Sequence, residues 1–140
     1  MKNQIYPCLW FDGNAREAAE FYCSVFQNTT ITSDNQMVVI IDSGGQKFMC
    51  LNGGPEYKFN EAVSFVVECD TQEEIDYYWE RLTEGGEEVQ CGWLKDKFGV
   101  SWQVVPTILG ELMSDPSRSQ RVVNAFLKMK KFDIEKLLSA

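Results

Sequence analysis

Gln103 is a lone amide in "VSWQVVP", a segment otherwise made almost wholly of strand-forming apolar residues. An amide held on a strand can hydrogen-bond a ligand, contribute one weak donor to a metal ion, or satisfy a neighbouring backbone group. The other reactive side chains are the cysteines Cys8, Cys23, Cys50, Cys69 and Cys91, and the charges Glu56, Lys58 and Glu61 of "NGGPEYKFNEA". Five cysteines are an odd number and none form a C-x-x-C pair, so neither a disulfide framework nor a zinc knuckle is indicated. Reduced thiols are expected, four of them in strands, where a free Cys packs as a small hydrophobe. The sequence contains no histidine. That removes the usual general base, the commonest metal ligand and the partner of a Ser or Cys nucleophile, and it excludes Ser-His-Asp and Cys-His mechanisms and His-based zinc sites. Three chemistries remain open: a metal held by carboxylates and carbonyls, catalysis by Glu56, Cys8 or Cys91 as acid, base or nucleophile, and binding without turnover.

The elements that must position these residues fit one domain, since 140 residues with 44% apolar content can bury a single core. A net charge of −8 gives no general attraction to nucleic acid or anionic lipid. Lys128, Lys130 and Lys131 are the local exception; they are expected to complement a helix dipole, with an anion site as the sharper alternative. No run approaches the roughly 20 apolar residues of a membrane span, and "MKNQIYPCLWFDG" lacks the apolar core and cleavage site of a signal peptide, so a cytoplasmic protein is expected.

A strand is expected over residues 5–11, then a turn and N-cap at Asp12-Gly13-Asn14, then a helix with Ala15, Ala18, Ala19, Tyr22 and Val25 on one face. "TTITS", "MVVIID" and "KFMCLN" follow as short strands, and Gly53-Gly54-Pro55 breaks the chain. The order then recurs. A strand over 62–69 leads to an Asp70-Thr71 cap, a helix with Ile75, Tyr78, Trp79 and Leu82 on one face, and strands in "EEVQC", "GWLKD" and "VSWQVVP". Superposing the halves aligns Asp12 with Asp70 and Gly45 with Gly99, which reads as an internal duplication. The modules run about 1–54 and 60–106. The tail, 107–140, reads as helix opened by Asp115-Pro116, with Val122, Phe126 and Met129 at helical spacing and Asp133 capping a last turn; packing on its own domain is expected over a partner interface.

With this order, "CLWFDGNAREAAEFYCSVF", "FMCLNGGPEYKFNEAVSFVVECD" and "QCGWLKDKFGVSWQVVP" closely resemble the demethylubiquinone methyltransferase-like branch of the vicinal oxygen chelate (glyoxalase/bleomycin resistance/dioxygenase) superfamily. The resemblance covers nearly the whole chain. It implies an α+β fold in which two βαβββ modules form an incomplete barrel around a cavity, followed by C-terminal helices, and it implies a homodimer.

Metal-dependent members of the superfamily take ligands from the first and last strands of each module. The equivalent positions here are Tyr6 or Pro7, Ala62 or Val63, Met49, and Gln103, and one neutral amide cannot hold a catalytic divalent ion that wants three good donors. No metal and no cofactor are therefore expected. The resemblance and strand alternation together place Cys8, Trp10, Met49, Leu51, Ser64 and Gln103 on the cavity as ligand-binding residues. The resemblance also sets Glu56 near its mouth. A Rossmann-like S-adenosylmethionine site would need a Gly-rich strand-to-helix turn, whereas Gly44-Gly45, Gly53-Gly54 and Gly85-Gly86 fall in a hairpin turn, a linker and a helix end. The leading expectation is a metal-free binding protein for a small, partly aromatic molecule; a metal-free enzyme on a small metabolite and the methyltransferase of the family label are the alternatives.

Overall fold

Alternating apolar residues build the strands and 3.6-period residues the helices, and the chain uses both twice. The computed structural model describes residues 3–140, which divide into two units, one ending at Phe59 and the other spanning Asn60–Ala140. The first unit comprises β1 (Cys8–Phe11), α1 (Ala15–Val25), β2 (Thr29–Asp34), β3 (Val38–Ser43) and β4 (Gln46–Asn52). Its sheet has the order β1-β4-β3-β2, with β1 parallel to β4 and the other pairs antiparallel. The first strand is shorter than expected. Pro7 lacks an N–H and Ile5 is exposed, so the regular ladder starts at Cys8, although the Pro7 carbonyl still accepts from the Met49 N–H at 3.0 Å.

Helix α1 buries Ala15, Ala18, Ala19, Tyr22 and Val25, as its periodicity predicts. Its cap differs from expectation: Asn14 occupies the N-cap position without a side-chain bond. Asn52, at the end of β4, accepts from the Ala15 N–H through Oδ1 at 2.9 Å and donates through Nδ2 to the Gln36 carbonyl at 2.8 Å. One amide thereby satisfies a first-turn N–H and ties α1 to the sheet.

The second unit repeats the order with β5 (Ser64–Cys69), α2 (Gln72–Thr83), β6 (Glu87–Glu88), β7 (Trp93–Lys95) and β8 (Ser101–Pro106), in the sheet order β5-β8-β7-β6. Thr71 and Glu74 form a complete capping box at α2, so the cap read from sequence stands. The strand expected in "EEVQC" shrinks to two residues. Cys91 and Gly92 both take left-handed backbone, φ +59° and +80°, and their N–H groups donate to the carbonyls of Met129 and Lys130, both at 2.8 Å. The tail has captured the donors that a longer strand would have used.

That tail contains α3 (Ile108–Met113), α4 (Ser119–Phe126) and α5 (Ile134–Leu138), of which α3 begins before the Asp115-Pro116 opening expected for the helix. Asp115 does not open α4; it closes a turn of its own, accepting from the Ser117 N–H at 2.9 Å. Asp133 does cap α5, accepting from the Lys136 N–H at 3.2 Å. Val122, Phe132 and Leu137 are buried, so the tail packs on the unit to which it belongs. Lys128, Lys130 and Lys131 follow the end of α4, and Lys131 pairs with Asp76 of α2 at 2.8 Å. No helix of the described residues is long and apolar enough to cross a membrane.

Candidate functional site

Each sheet has one face covered by its helix and one face without a helix. In the first unit Leu9, Phe11, Val39, Ile41 and Cys50 are buried, and Asn52, on that same face of β4, reaches α1. The alternate positions point the other way. Cys8 is paired in register with Met49 and Trp10 with Leu51, while Val38 and Ile40 of β3 stand across from Leu51 and Met49. Cys8, Trp10, Met49 and Leu51 therefore share the helix-free face with Val38 and Ile40, and the cross-strand pair Asp42 and Lys47 continues that face toward the β3–β4 turn.

Trp10 is already engaged there by its own chain. Its indole Nε1–H donates to the Gly54 carbonyl at 2.8 Å, a Cβ at Gly53 would run into its ring, and Tyr57 meets it edge-on at 4.9 Å between centroids. Glycine at position 53 is required by that close approach. Trp10 thus holds the start of the connection that carries Glu56, itself exposed to solvent. Tyr57 is 64% exposed and was missed by sequence reasoning, because nothing in local spacing marks a loop aromatic as the partner of a strand tryptophan.

In the second unit Phe65, Trp102, Leu94 and Val104 lie on the α2 side, and Ser64, Val66, Ser101, Gln103, Trp93 and Lys95 lie on the helix-free face. Gln103 donates through Nε2 to Ser64 Oγ at 3.0 Å. The amide's partner is thus a side chain on the neighbouring strand and not a backbone group. Ser101 and Lys95 on the same face were also missed, although alternation from Gln103 would have found Ser101. Lys95 pairs with Glu61 across the edge of this face.

Register also revises the positions at which a metal could be held. Cys8 pairs with Met49 and Val66 pairs with Gln103; carried through the Gly45 and Gly99 correspondence, this makes Ser64 and not Ala62 or Val63 the equivalent of Tyr6. Ala62 and Val63 precede the strand. Tyr6, Ser64, Met49 and Gln103 do not make a donor set for a divalent ion, since they supply no carboxylate or imidazole and the amide nitrogen of Gln103 is turned to Ser64. Among the described residues no group of three or more His, Cys, Asp or Glu could hold one.

The candidate nucleophiles belong to different units. Cys8 stands on the helix-free face of the first sheet, and burial raises its thiol pKa above the ordinary value. Cys91 lies in the second unit at the junction with the tail, where its thiol donates to the Phe126 carbonyl at 3.6 Å. Burial pushes Cys50 up to about 12 and Cys69 up to about 11. These raised values fix the sign of an alkaline effect: the stability that protonated thiols contribute is complete below the ordinary 9.0 and is lost as pH climbs toward the folded values.

Carboxylates act in the opposite direction. Asp34 is held low by the Gln36 N–H and by Arg16, Glu61 by Lys95, and Asp76 by Lys131 and Gln72. Their contribution is complete above the ordinary carboxylate pKa and is lost as pH falls through the depressed values. With no histidine to titrate, the melting temperature is expected to be flat between about pH 6 and 8, and to fall below about pH 4 and above about pH 9. Thermal melts across that range test this; a step near pH 6.5 would contradict it.

Residues 3–105 match the family described as 3-demethylubiquinone-9 3-methyltransferase. The chain belongs to this family. Among solved structures, the PhnB protein of Bacillus cereus, which carries the same 3-demethylubiquinone-9 3-methyltransferase name, is 32% identical over 75% of this chain and 100% of its own, with a TM-score of 0.69. Protein PA1353 of Pseudomonas aeruginosa is 23% identical over 75% of this chain and 98% of its own, at TM-score 0.62. The fosfomycin resistance protein FosX of Listeria monocytogenes, solved with Mn(II) and sulfate, is 15% identical over 81% and 98%, at TM-score 0.59. The last two show likeness of fold alone. No curated protein matches the chain. Together the family and the fold place this 3-demethylubiquinone-9 3-methyltransferase family member in the vicinal oxygen chelate superfamily, with its two α+β modules. The family match ends at residue 105, so α3 to α5 lie beyond it.

Proposed function

We propose that this protein binds a small, partly aromatic molecule without a metal centre, with Cys8, Trp10, Met49 and Leu51 as apolar contacts and Ser64 and Gln103 as polar ones. The observation that carries the reading is what the helix-free faces bring together: the apolar group of Cys8, Trp10, Met49 and Leu51 in the first sheet, and in the second a Gln103–Ser64 pair where a metal-dependent relative would need strong donors. An apolar surface with a few fixed polar groups is the usual makeup of a small-molecule site. The homodimer implied by the resemblance belongs to the same proposal and is tested by sedimentation.

A thermal-shift panel of planar aromatic compounds, divalent metals and S-adenosylmethionine tests it. A ligand at a hundredfold excess over its Kd adds about 2.7 kcal/mol, which moves the midpoint by several degrees. Aromatic compounds are expected to raise the midpoint, and Gln103→Ala to reduce that shift. Strong stabilisation by a divalent ion would overturn the metal-free reading. A shift with S-adenosylmethionine alone would favour the methyltransferase of the family name.

Catalysis through Cys8 is disfavoured by its raised pKa, because the thiolate is the nucleophile. Iodoacetamide is expected to modify Cys8 no faster than it modifies free cysteine at neutral pH. Faster modification would return the enzyme reading to first place.

A further inference from the structure

Three strands of the second sheet place Ser64, Ser101 and Lys95 side by side: Ser101 of β8 is in register with Ser64 of β5 on one flank and with Lys95 of β7 on the other. All three therefore project from the helix-free face, within side-chain reach of their neighbours. The adjoining row, Val66, Gln103 and Trp93, is tied to this one by the Gln103 Nε2–H to Ser64 Oγ bond. Ser64 Oγ accepts in that bond and keeps its own hydroxyl proton to donate.

Ser101 is 1% exposed, and among the described residues its Oγ is the only buried side-chain nitrogen or oxygen without a hydrogen-bond partner. A buried hydroxyl left unbonded opposes folding, and native chains retain one where something else supplies the bond. Beside it stands a cation. Lys95 has Glu61 as its ion-pair partner, and the Glu61 side chain is 61% exposed, so solvent competes for it and exchange for another anion costs little. Glu87 stands across from Lys95 on β6 and Glu68 lies farther along β5, and both are exposed.

We infer that the Ser64–Ser101–Lys95 row receives an oxyanion carried by the ligand, with Lys95 released from Glu61 to meet it and the two hydroxyls donating. This rests on the small-molecule reading above and narrows its ligand to an aromatic or otherwise apolar body bearing a carboxylate or a similar anionic oxygen group. Glu61 then acts as the resident counter-ion that such a group displaces.

Calorimetric titration with benzoate and with its neutral isostere benzamide separates the two claims. Benzoate is expected to bind at least tenfold tighter than benzamide, Lys95→Met to erase the difference, and Glu61→Gln to tighten benzoate several-fold by removing its competitor. Equal affinities, or a benzoate preference that survives Lys95→Met, would overturn the oxyanion inference while leaving the small-molecule reading intact. Failure of both probes and of the whole aromatic panel would sink both. Ser101→Ala gives a test that needs no ligand: loss of an unpartnered buried hydroxyl is expected to leave the melting temperature unchanged or raise it. A drop of several degrees would mean that Ser101 already has a partner, and the inference would fall.

Discussion

Asp96→Ala is expected to lower the unfolding free energy by about 3 kcal/mol, or the melting temperature by about 10 °C. Asp96 is 2% exposed at the turn between β7 and β8. Its Oδ1 accepts from the N–H groups of Phe98 and Val100 at 2.9 and 3.1 Å, and its Oδ2 accepts from the Trp102 indole N–H at 2.9 Å. The main chain of Asp96 also bonds the Val100 carbonyl and the Gly99 N–H, both at 2.9 Å. Alanine would strand three donors where water has little access, and leaving such donors unmade costs more than the net worth of the bonds. Asn is the informative control. Its oxygen can keep the two backbone bonds, but its NH2 group would face the indole N–H, so about half the loss is expected. Urea denaturation measures both, and an alanine variant within 1 kcal/mol of wild type, about the worth of one ordinary hydrogen bond, would refute this account of the turn.

Gly92→Ala is expected to cost about 3 kcal/mol by a different route. Gly92 has φ +80°, and a Cβ there would sit 2.5 Å from the Phe132 ring and 2.8 Å from the Val104 carbonyl oxygen. Left-handed backbone strain accounts for part of the loss, and displacement of Phe132 from its buried position accounts for the rest. Because Gly92 and Cys91 also hold the backbone at Met129 and Lys130, the variant should become more sensitive to trypsin at Lys128, Lys130 and Lys131. Phe132→Ala alone should also destabilise, by about 3 kcal/mol. The double variant should lose less than the two singles together, since removing the ring removes most of the clash. Strict additivity would show that backbone strain alone sets the cost.

These two residues mark where local reading stops. Asp96 and Gly92 look like ordinary turn residues in "QCGWLKDKFGV", and their roles depend on Trp102 and Phe132, which reach them only in the fold. The same holds for α3, a six-residue helix too short for a periodic stripe to announce, and for the cap of α1, supplied by Asn52 from a strand 37 residues away and not by Asn14.

The sequence by itself determined the repeated βαβββ order, the buried faces of α1 and α2, and the Thr71–Glu74 capping box. It also determined that Cys8 and Trp10 fall on one face of their strand and Met49 and Leu51 on one face of theirs. All of these follow from backbone periods of 2 and 3.6 and from contacts within four residues, which spacing alone encodes. Only the tertiary structure decided that Trp10 is held by Gly54 and Tyr57, that Gln103 bonds Ser64, that Lys95 pairs with Glu61 and that Ser101 is buried without a partner. Those outcomes join residues tens of positions apart, or depend on what covers a side chain. Strand register and packing select such partners among many chemically equivalent ones, and no local pattern distinguishes the one selected.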